Sequence, residues 1–439
     1  MIRIVQSSNR AEVQSLLAPT VIRDRATEKK AATIVEHVRN GGDEALRSYA
    51  KALDGWAGPL EVPRRRVEAL ARRAPAPVRA ALKQAAAAIR DVATAQRPRE
   101  WRLQVSRGVS VEQRVVPLDR VGCYVPGGRY PLPSTVLMTA IPARVAGVPE
   151  VIVCSPSADP TVMAAALEAG VDRVFRVGGA HAVAAMAYGT RTVPRVSKIV
   201  GPGNRWVSAA KALVAQDCPI DFYAGPSEIL IVSATGPAAW IAADLIAQAE
   251  HDPDARAVFI TSKLALAHEV AEEVARQLPT TGPAAAALWN HGGIIVTPSM
   301  DEAVALANEA AAEHVVVDTE ARAGRIRNAG AIFIGPWTAQ VAGDYAIGSN
   351  HTLPTAGVAH VRGGLHTADF VKLVSVQRLT KAGLLAIGPT VTTLARAEGL
   401  EGHARSIDIR MADDAAGGAR ATGTRAGTKA ATRGKERTR

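Results

Sequence analysis

The feature that most constrains this chain is a unit of apolar strand, glycine-marked turn and helix that recurs from residue 151 to residue 334. Val151-Ile152-Val153-Cys154 is a short apolar run, followed by a helical pattern over 160–169 that stops at Gly170. Residues 173–176 give the next strand, then Gly178-Gly179 and a helix through Tyr188. Residues 198–200 lead into Gly201-Pro202-Gly203-Asn204 and a helix to Ala215, and 228–233 closes this first series. A second series follows, with helices over 237–251, 264–278 and 301–312 between strands at 257–261, 293–297, 314–318 and 331–334. Two successive runs of this kind predict an α/β protein with two Rossmann-like parallel-sheet units. The N-terminal third reads as helix over 26–53, interrupted at Gly41-Gly42, and over 77–95, where Arg97-Pro98-Arg99 ends it. Residues 105–115 alternate like a hairpin strand leading to Pro117, and 367–403 reads as further helix.

With 439 residues the chain has room for two sizeable cores, and its 48% hydrophobic and 21% charged residues are ordinary for a globular protein. Aromatics are only 4%, so those cores must be built from Ala, Val, Leu and Ile. There is no run of eighteen apolar residues, and Met1-Ile2-Arg3-Ile4-Val5-Gln6 does not read as a signal peptide, which leads us to expect a cytoplasmic protein away from membranes. Cys123, Cys154 and Cys218 are far apart and match no Cys-x-x-Cys pattern, so buried, reduced thiols are expected. The net charge of +11 invites a nucleic-acid reading, but residues 411–439 carry seven Lys/Arg against three Asp/Glu and so supply +4 of it. That tail is rich in Ala, Gly and Thr and has no aromatic residue to stack on bases. A disordered, solvated segment over 412–439, with no nucleic-acid partner, is the expectation.

Four clusters carry chemistry. Gln248 and His251 are three apart on a predicted helix, so an amide oxygen and an imidazole nitrogen project from one face and can share a divalent cation. Most such pairs are nevertheless plain polar surface. Glu313-His314 sits where a helix passes into a strand, and an adjacent carboxylate and imidazole can both accept protons if a cleft holds them. Gly343-Asp344-Tyr345 opens a polar loop that runs to His351, the kind of segment that carries function on an α/β scaffold. Glu398 and His403 are five apart near a helix end, and no periodicity makes them a site. Gly201-Pro202-Gly203-Asn204 and Gly178-Gly179-Ala180-His181 follow strands and open helices, where backbone N–H groups can meet a phosphate. Neither is a G-x-G-x-x-G fingerprint, and each is equally a tight turn.

Taken together these segments resemble the histidinol dehydrogenase family. Val121-Gly-Cys-Tyr-Val-Pro-Gly-Gly128, Gly201-Pro-Gly-Asn204, Ala224-Gly-Pro-Ser-Glu228, Gln248-Ala-Glu-His251, Glu313-His314, Gly343-Asp-Tyr345, Asn350-His-Thr-Leu-Pro354 and Glu398-Gly-Leu-Glu-Gly-His403 occur in the family's order and approximate spacing. The resemblance spans residues 1–410. It implies an intertwined homodimer that binds zinc and NAD and oxidises L-histidinol twice, through L-histidinaldehyde to L-histidine, the last step of histidine biosynthesis. Gln248, His251, Asp344 and His403 are then the zinc ligands, with His403 reaching in from the partner subunit. Ser227, His314, Asp344, Glu398 and His403 contact substrate, as do Gln248 and His251. Glu313 and His314 form the acid/base pair, and Tyr124, His181 and Asn204 contact NAD.

The expected layout is an N-terminal helical arm over 1–25, then a discontinuous Rossmann-like domain over 26–126 and 231–366. A second such domain covers 127–230, and a helical extension over 367–411 packs on the partner. Two departures stand out: His181 occupies a position where the family commonly has Gln, and Trp206 replaces the usual Tyr or Phe. A paralogue acting on another polar alcohol or a sulfonated diol is the nearest alternative, and a basic RNA-binding protein with a vestigial site is the alternative from another class.

Overall fold

The computed structural model describes residues 2–18, 24–127, 130–223 and 225–422, with backbone only over 413–422. Gly128, Ala224 and residues 423–439, which belong to two of the motifs and to the tail, lie outside the described residues. The chain divides into two compact units. The first comprises Met1–Pro98 with Pro117–Lys372, and the second Arg99–Val116 with the chain from Leu373 on.

The first unit holds two sheets. One runs in the order Glu61–Val62, Arg173–Phe175, Glu150–Cys154, Arg120–Tyr124, Lys198–Val200, parallel except for its first, edge strand. Helices Pro133–Ala146 and Pro160–Glu168 cover one face together with Arg64–Ala71 and Ala76–Ala95. Helices Gly179–Tyr188 and Arg205–Val214 cover the other, with the long helix Arg25–Leu53 laid across them. Their buried residues are largely Ala and Val, which lets the helices approach closely without aromatic filling. From Arg120–Tyr124 the chain steps outward to Arg173–Phe175 and then returns to Lys198–Val200 on the opposite side. The winding therefore reverses between Tyr124 and Gly201.

The other sheet has six parallel strands in the order Ile4–Gln6, Gly292–Val296, Arg256–Thr261, Glu228–Val232, His314–Val317, Ala331–Ile334. Its central strands are buried along their whole length, as parallel strands covered on both faces must be. Ala238–Ala249, Leu264–Gln277 and Ala284–His291 pack on one face, and Arg10–Leu17 and Met300–Ala310 on the other.

Mixed α/β architecture with parallel sheets is thus as expected, but several boundaries move. The N-terminal segment is not simply a helical arm: Ile4–Gln6 pairs in register with Ile294–Val296 as the edge strand of the six-stranded sheet. The discontinuous division at residues 126/127 and 230/231 also fails. Arg120–Tyr124 pairs with Glu150–Cys154 and Lys198–Val200, and so belongs with the segment assigned to the other domain, while Glu228–Val232 is central to the six-stranded sheet. Helices from 25 to 95 cover the five-stranded sheet, not the six-stranded one.

In the second unit, the three-stranded sheet joins Trp101–Ser106 antiparallel to Val109–Pro117, with Val371–Leu379 on the far side. The stretch read as helix from 367 onward therefore opens with a single 3-10 turn, Thr367–Phe370, and then nine residues of strand, and helix resumes at Lys381–Ala397 and Glu401–Thr422. The last helix continues eleven residues past the point where disorder was expected, because the segment after Met411 is rich in alanine, the best helix former. Among the described residues no helix is long and apolar enough to cross a membrane, and Cys123, Cys154 and Cys218 are free and buried.

Candidate active site

The register of the six-stranded sheet builds the reactive cluster. His314 pairs with Ile229, so Glu313 stands beside Glu228 at the amino ends of neighbouring parallel strands. The backbone of Glu228 serves both residues: its N–H donates to Glu313 Oε2 at 2.8 Å, and its carbonyl accepts from His314 Nδ1 at 3.0 Å. A carbonyl can only accept, so His314 carries its proton on Nδ1 and presents the Nε2 lone pair. That Nε2 lies 3.8 Å from Asp344 Oδ1. Burial pushes the His314 imidazole down to about 4, against the opposing pull of Asp344, so the ring is neutral at pH 7. Burial also pushes the Glu313 carboxyl well above the usual range. The Glu228 N–H bond works against this, the charges of Glu228 and Asp344 add to it, and a hydrogen bond with Ser227 opposes it.

Glu228 itself is buried and paired with Arg256, at 2.9 Å, at the start of the adjacent strand, while its Oε1 accepts from the Ala356 N–H at 3.1 Å. The Glu228 carboxylate is thus held by Arg256 while its charge still adds to the upward push on Glu313.

Asp344 lies on the helix Gln340–Tyr345, where Gln340 Nε2 donates to its Oδ2 at 2.9 Å. His351 Nδ1 donates to the Asp344 carbonyl at 3.0 Å. The loop following Asp344 is anchored on helix Pro133–Ala146, with Asn350 Nδ2 donating to the Met138 carbonyl at 2.6 Å and His351 Nε2 3.4 Å from the Thr135 hydroxyl. Gln248 is wholly buried near the end of Ala238–Ala249, and neither its amide oxygen nor its nitrogen finds a partner among the described residues. His251, just past that helix, has Nδ1 3.2 Å from the Gln248 carbonyl and acts electrostatically on both His314 and His351.

Glu228, Glu313 and His314 lie at the amino ends of their strands. At the carboxyl end, where the winding of this sheet reverses, Asp318 fills the gap, accepting from the Ser233 hydroxyl at 3.1 Å and the Ala234 N–H at 3.0 Å and pairing with Arg322. The five-stranded sheet behaves differently. Its winding reverses at Tyr124 and Gly201, and such a reversal opens a crevice outside the carboxyl ends of the strands. Tyr124 ends one strand there, and its hydroxyl accepts from the Gly179 N–H at 3.1 Å. Asn204 caps helix Arg205–Val214, its Oδ1 accepting from Trp206 N–H at 3.1 Å and Val207 N–H at 3.2 Å. His181 is fully buried, with Nε2 2.8 Å from Asp54 Oδ2.

Glu398 and His403 belong to the second unit and are exposed there. Among the described residues no three His, Cys, Asp or Glu side chains cluster as a metal shell. Arg256, Gln340 and Asp54 went unseen in the sequence, and Glu228 stood in a motif without a role. Only Gln340, four residues before Asp344 on one helix, left a local signal.

The family profile described as Histidinol dehydrogenase matches residues 19–411 of this chain. The chain belongs to the histidinol dehydrogenase family. A histidinol dehydrogenase of Halobacterium salinarum is 48% identical over 401 residues, covering 89% of this chain and 94% of that relative. One from Halalkalibacterium halodurans is 44% identical over 395 residues, covering 87% and 93% respectively. The crystal structure of histidinol dehydrogenase from Elizabethkingia anophelis superposes with a TM-score of 0.89 at 31% identity, over 94% of this chain and 98% of that one. The reading as a dehydrogenase of some other polar alcohol is not favoured by any of these.

Proposed function

We propose that this oxidoreductase of histidine biosynthesis oxidises L-histidinol to L-histidine through L-histidinaldehyde, in two NAD-dependent steps at a zinc site. The observation that carries the reading is the shared anchoring of Glu313 and His314 on the backbone of Glu228. It places a neutral imidazole with a free Nε2 beside a carboxyl whose basicity is raised by burial.

The donor set suits zinc. An amide group buried with both polar atoms unpartnered, as in Gln248, is a costly arrangement unless something is bound to it. Gln248, His251 and Asp344 offer nitrogen and oxygen ligands, and His403 of the partner subunit is the proposed fourth. Held by these residues, zinc would supply Lewis-acid templating of the substrate. NAD, held near Tyr124 and Asn204, would supply the hydride acceptor for each oxidation.

The side chains do the proton work. His314 Nε2 takes the alcohol proton as hydride departs. The resulting aldehyde must be hydrated before it can be oxidised again, and Glu313 takes a proton from the attacking water. Ser227 and Glu398 orient the substrate, and Tyr124 and Asn204 meet NAD at the crevice of the five-stranded sheet. The second unit supports a homodimer, because Trp101, Leu103, Val105 and Leu373 leave an apolar surface exposed on it.

Measuring NADH formed per histidinol consumed tests the whole reading. Two NADH are expected, with turnover abolished by a chelator and restored by zinc or manganese. One NADH with free aldehyde accumulating would remove the second step, and full activity after metal depletion would remove the zinc.

A further inference from the structure

A buried acid lies behind the turn that carries His181. Asp54 follows the long helix Arg25–Leu53, and its Oδ2 accepts from the Gly178 N–H at 2.9 Å and from His181 Nε2 at 2.8 Å. Both side chains are out of solvent, at 8% exposure for Asp54 and 0% for His181. With Nε2 donating to Asp54, His181 Nδ1 is left without a partner and faces the turn, where a Cβ built on Gly179 would stand 3.3 Å from it. Tyr49 stacks against the ring at 5.9 Å between centroids, and His37 Nδ1 lies 3.1 Å from the Tyr49 hydroxyl, so the imidazole cannot swing out.

The next residue links this pair to the crevice. The Gly179 N–H donates to the Tyr124 hydroxyl, and Tyr124 keeps 4% of its surface exposed. A hydroxyl that already accepts from below has its own proton directed elsewhere, and no acceptor for that proton is found among the described residues. Gly178 cannot carry a side chain here, since a Cβ would come within 2.8 Å of Pro156 and 3.0 Å of Asp54 Oδ1.

We propose that Asp54 and His181 are positioning residues for the dinucleotide. With both side chains out of solvent, they act from behind the turn, in place of the direct NAD contact expected of His181. They fix the Gly178-Gly179 turn, and through the Gly179 N–H they aim the Tyr124 O–H at the cofactor. This rests on Tyr124 and Asn204 meeting NAD.

The test is NAD affinity of the full-length, zinc-loaded protein by calorimetry, with histidinol affinity and Tm measured alongside. Asp54→Ala is expected to weaken NAD binding about tenfold, the size of one lost charge-assisted hydrogen bond, and to leave histidinol affinity unchanged. Asp54→Asn keeps an oxygen that accepts from Gly178 and His181, and should recover most of that loss. If Asp54→Ala does not fold, His181→Phe keeps the stacked ring and removes only the donor, and should weaken NAD severalfold. Unchanged NAD affinity in a folded Asp54→Ala or His181→Phe protein overturns the proposal. So does an equal loss of NAD and histidinol affinity, which marks a purely structural role. Tyr124→Phe separates the two readings: if it leaves NAD affinity intact, the assignment of Tyr124 to the cofactor fails, whatever Asp54 does.

Discussion

Glu313 and His314 are neighbours in the chain, and burial treats them oppositely for one reason. Each loses its charged form, so the carboxyl titrates higher and the imidazole lower than in water. Their roles should therefore separate. His314→Asn is expected to slow oxidation of histidinol by roughly 10²–10⁴-fold, the usual worth of a general base, and to affect supplied histidinaldehyde less. Glu313→Gln should do the reverse, because only the aldehyde step needs an activated water. Steady-state rates with each substrate check this, and equal losses in both half-reactions from both variants would refute the division. The pair was legible as a motif. The roles of Glu228 and Arg256 were not, although these residues complete the site, because each reads locally as a charged residue at the end of an element. Only the parallel register that sets Arg256 opposite Glu228, and His314 one residue further along, makes them neighbours.

At the scale of elements, the strands and helices with a clear period were readable to within a few residues, and what failed was partnership. Val371–Leu379 is a strand because it adds to a sheet with Val109–Pro117, more than two hundred residues earlier, and nothing near it in sequence states that pairing. Ile4–Gln6 is a strand for the same reason. The turn at Gly201 shows the opposite case, where one residue type announces its geometry. Its φ is 116°, and a Cβ there would lie 2.2 Å from the Tyr124 carbonyl oxygen. Beneath it, the buried pair of Lys211 and Asp221 holds the turn: Lys211 Nζ donates to the Gly201 carbonyl at 2.9 Å, and Asp221 Oδ2 accepts the Gly201 N–H at 2.7 Å. Gly201→Ala should therefore cost about 1–3 kcal/mol in backbone strain alone and displace Tyr124. A lower Tm together with weaker NAD binding is the expected result, and a variant as stable as the parent would show that the strand end can yield.

For the whole molecule, the proposed metal ligands are drawn from both units of the chain. Gln248, His251 and Asp344 belong to the first unit, whereas His403 is exposed on the second, on a helix that begins after the six-stranded sheet has closed. An appended segment that packs on a neighbour is a common route to an obligate symmetric dimer. If His403 completes the neighbour's metal shell, Gln248→Ala and His403→Ala proteins should each be inactive alone and recover activity when mixed. In a heterodimer one site then carries both lesions and the other carries none. Random exchange gives half heterodimers with one intact site each, so recovery should approach about a quarter of the wild-type rate, assuming independent sites and complete exchange. Exchange is followed by native mass measurement on subunits of different mass. If heterodimers form in the expected proportion and no activity returns, the shared shell is wrong, and His403 must act within its own chain or not at all.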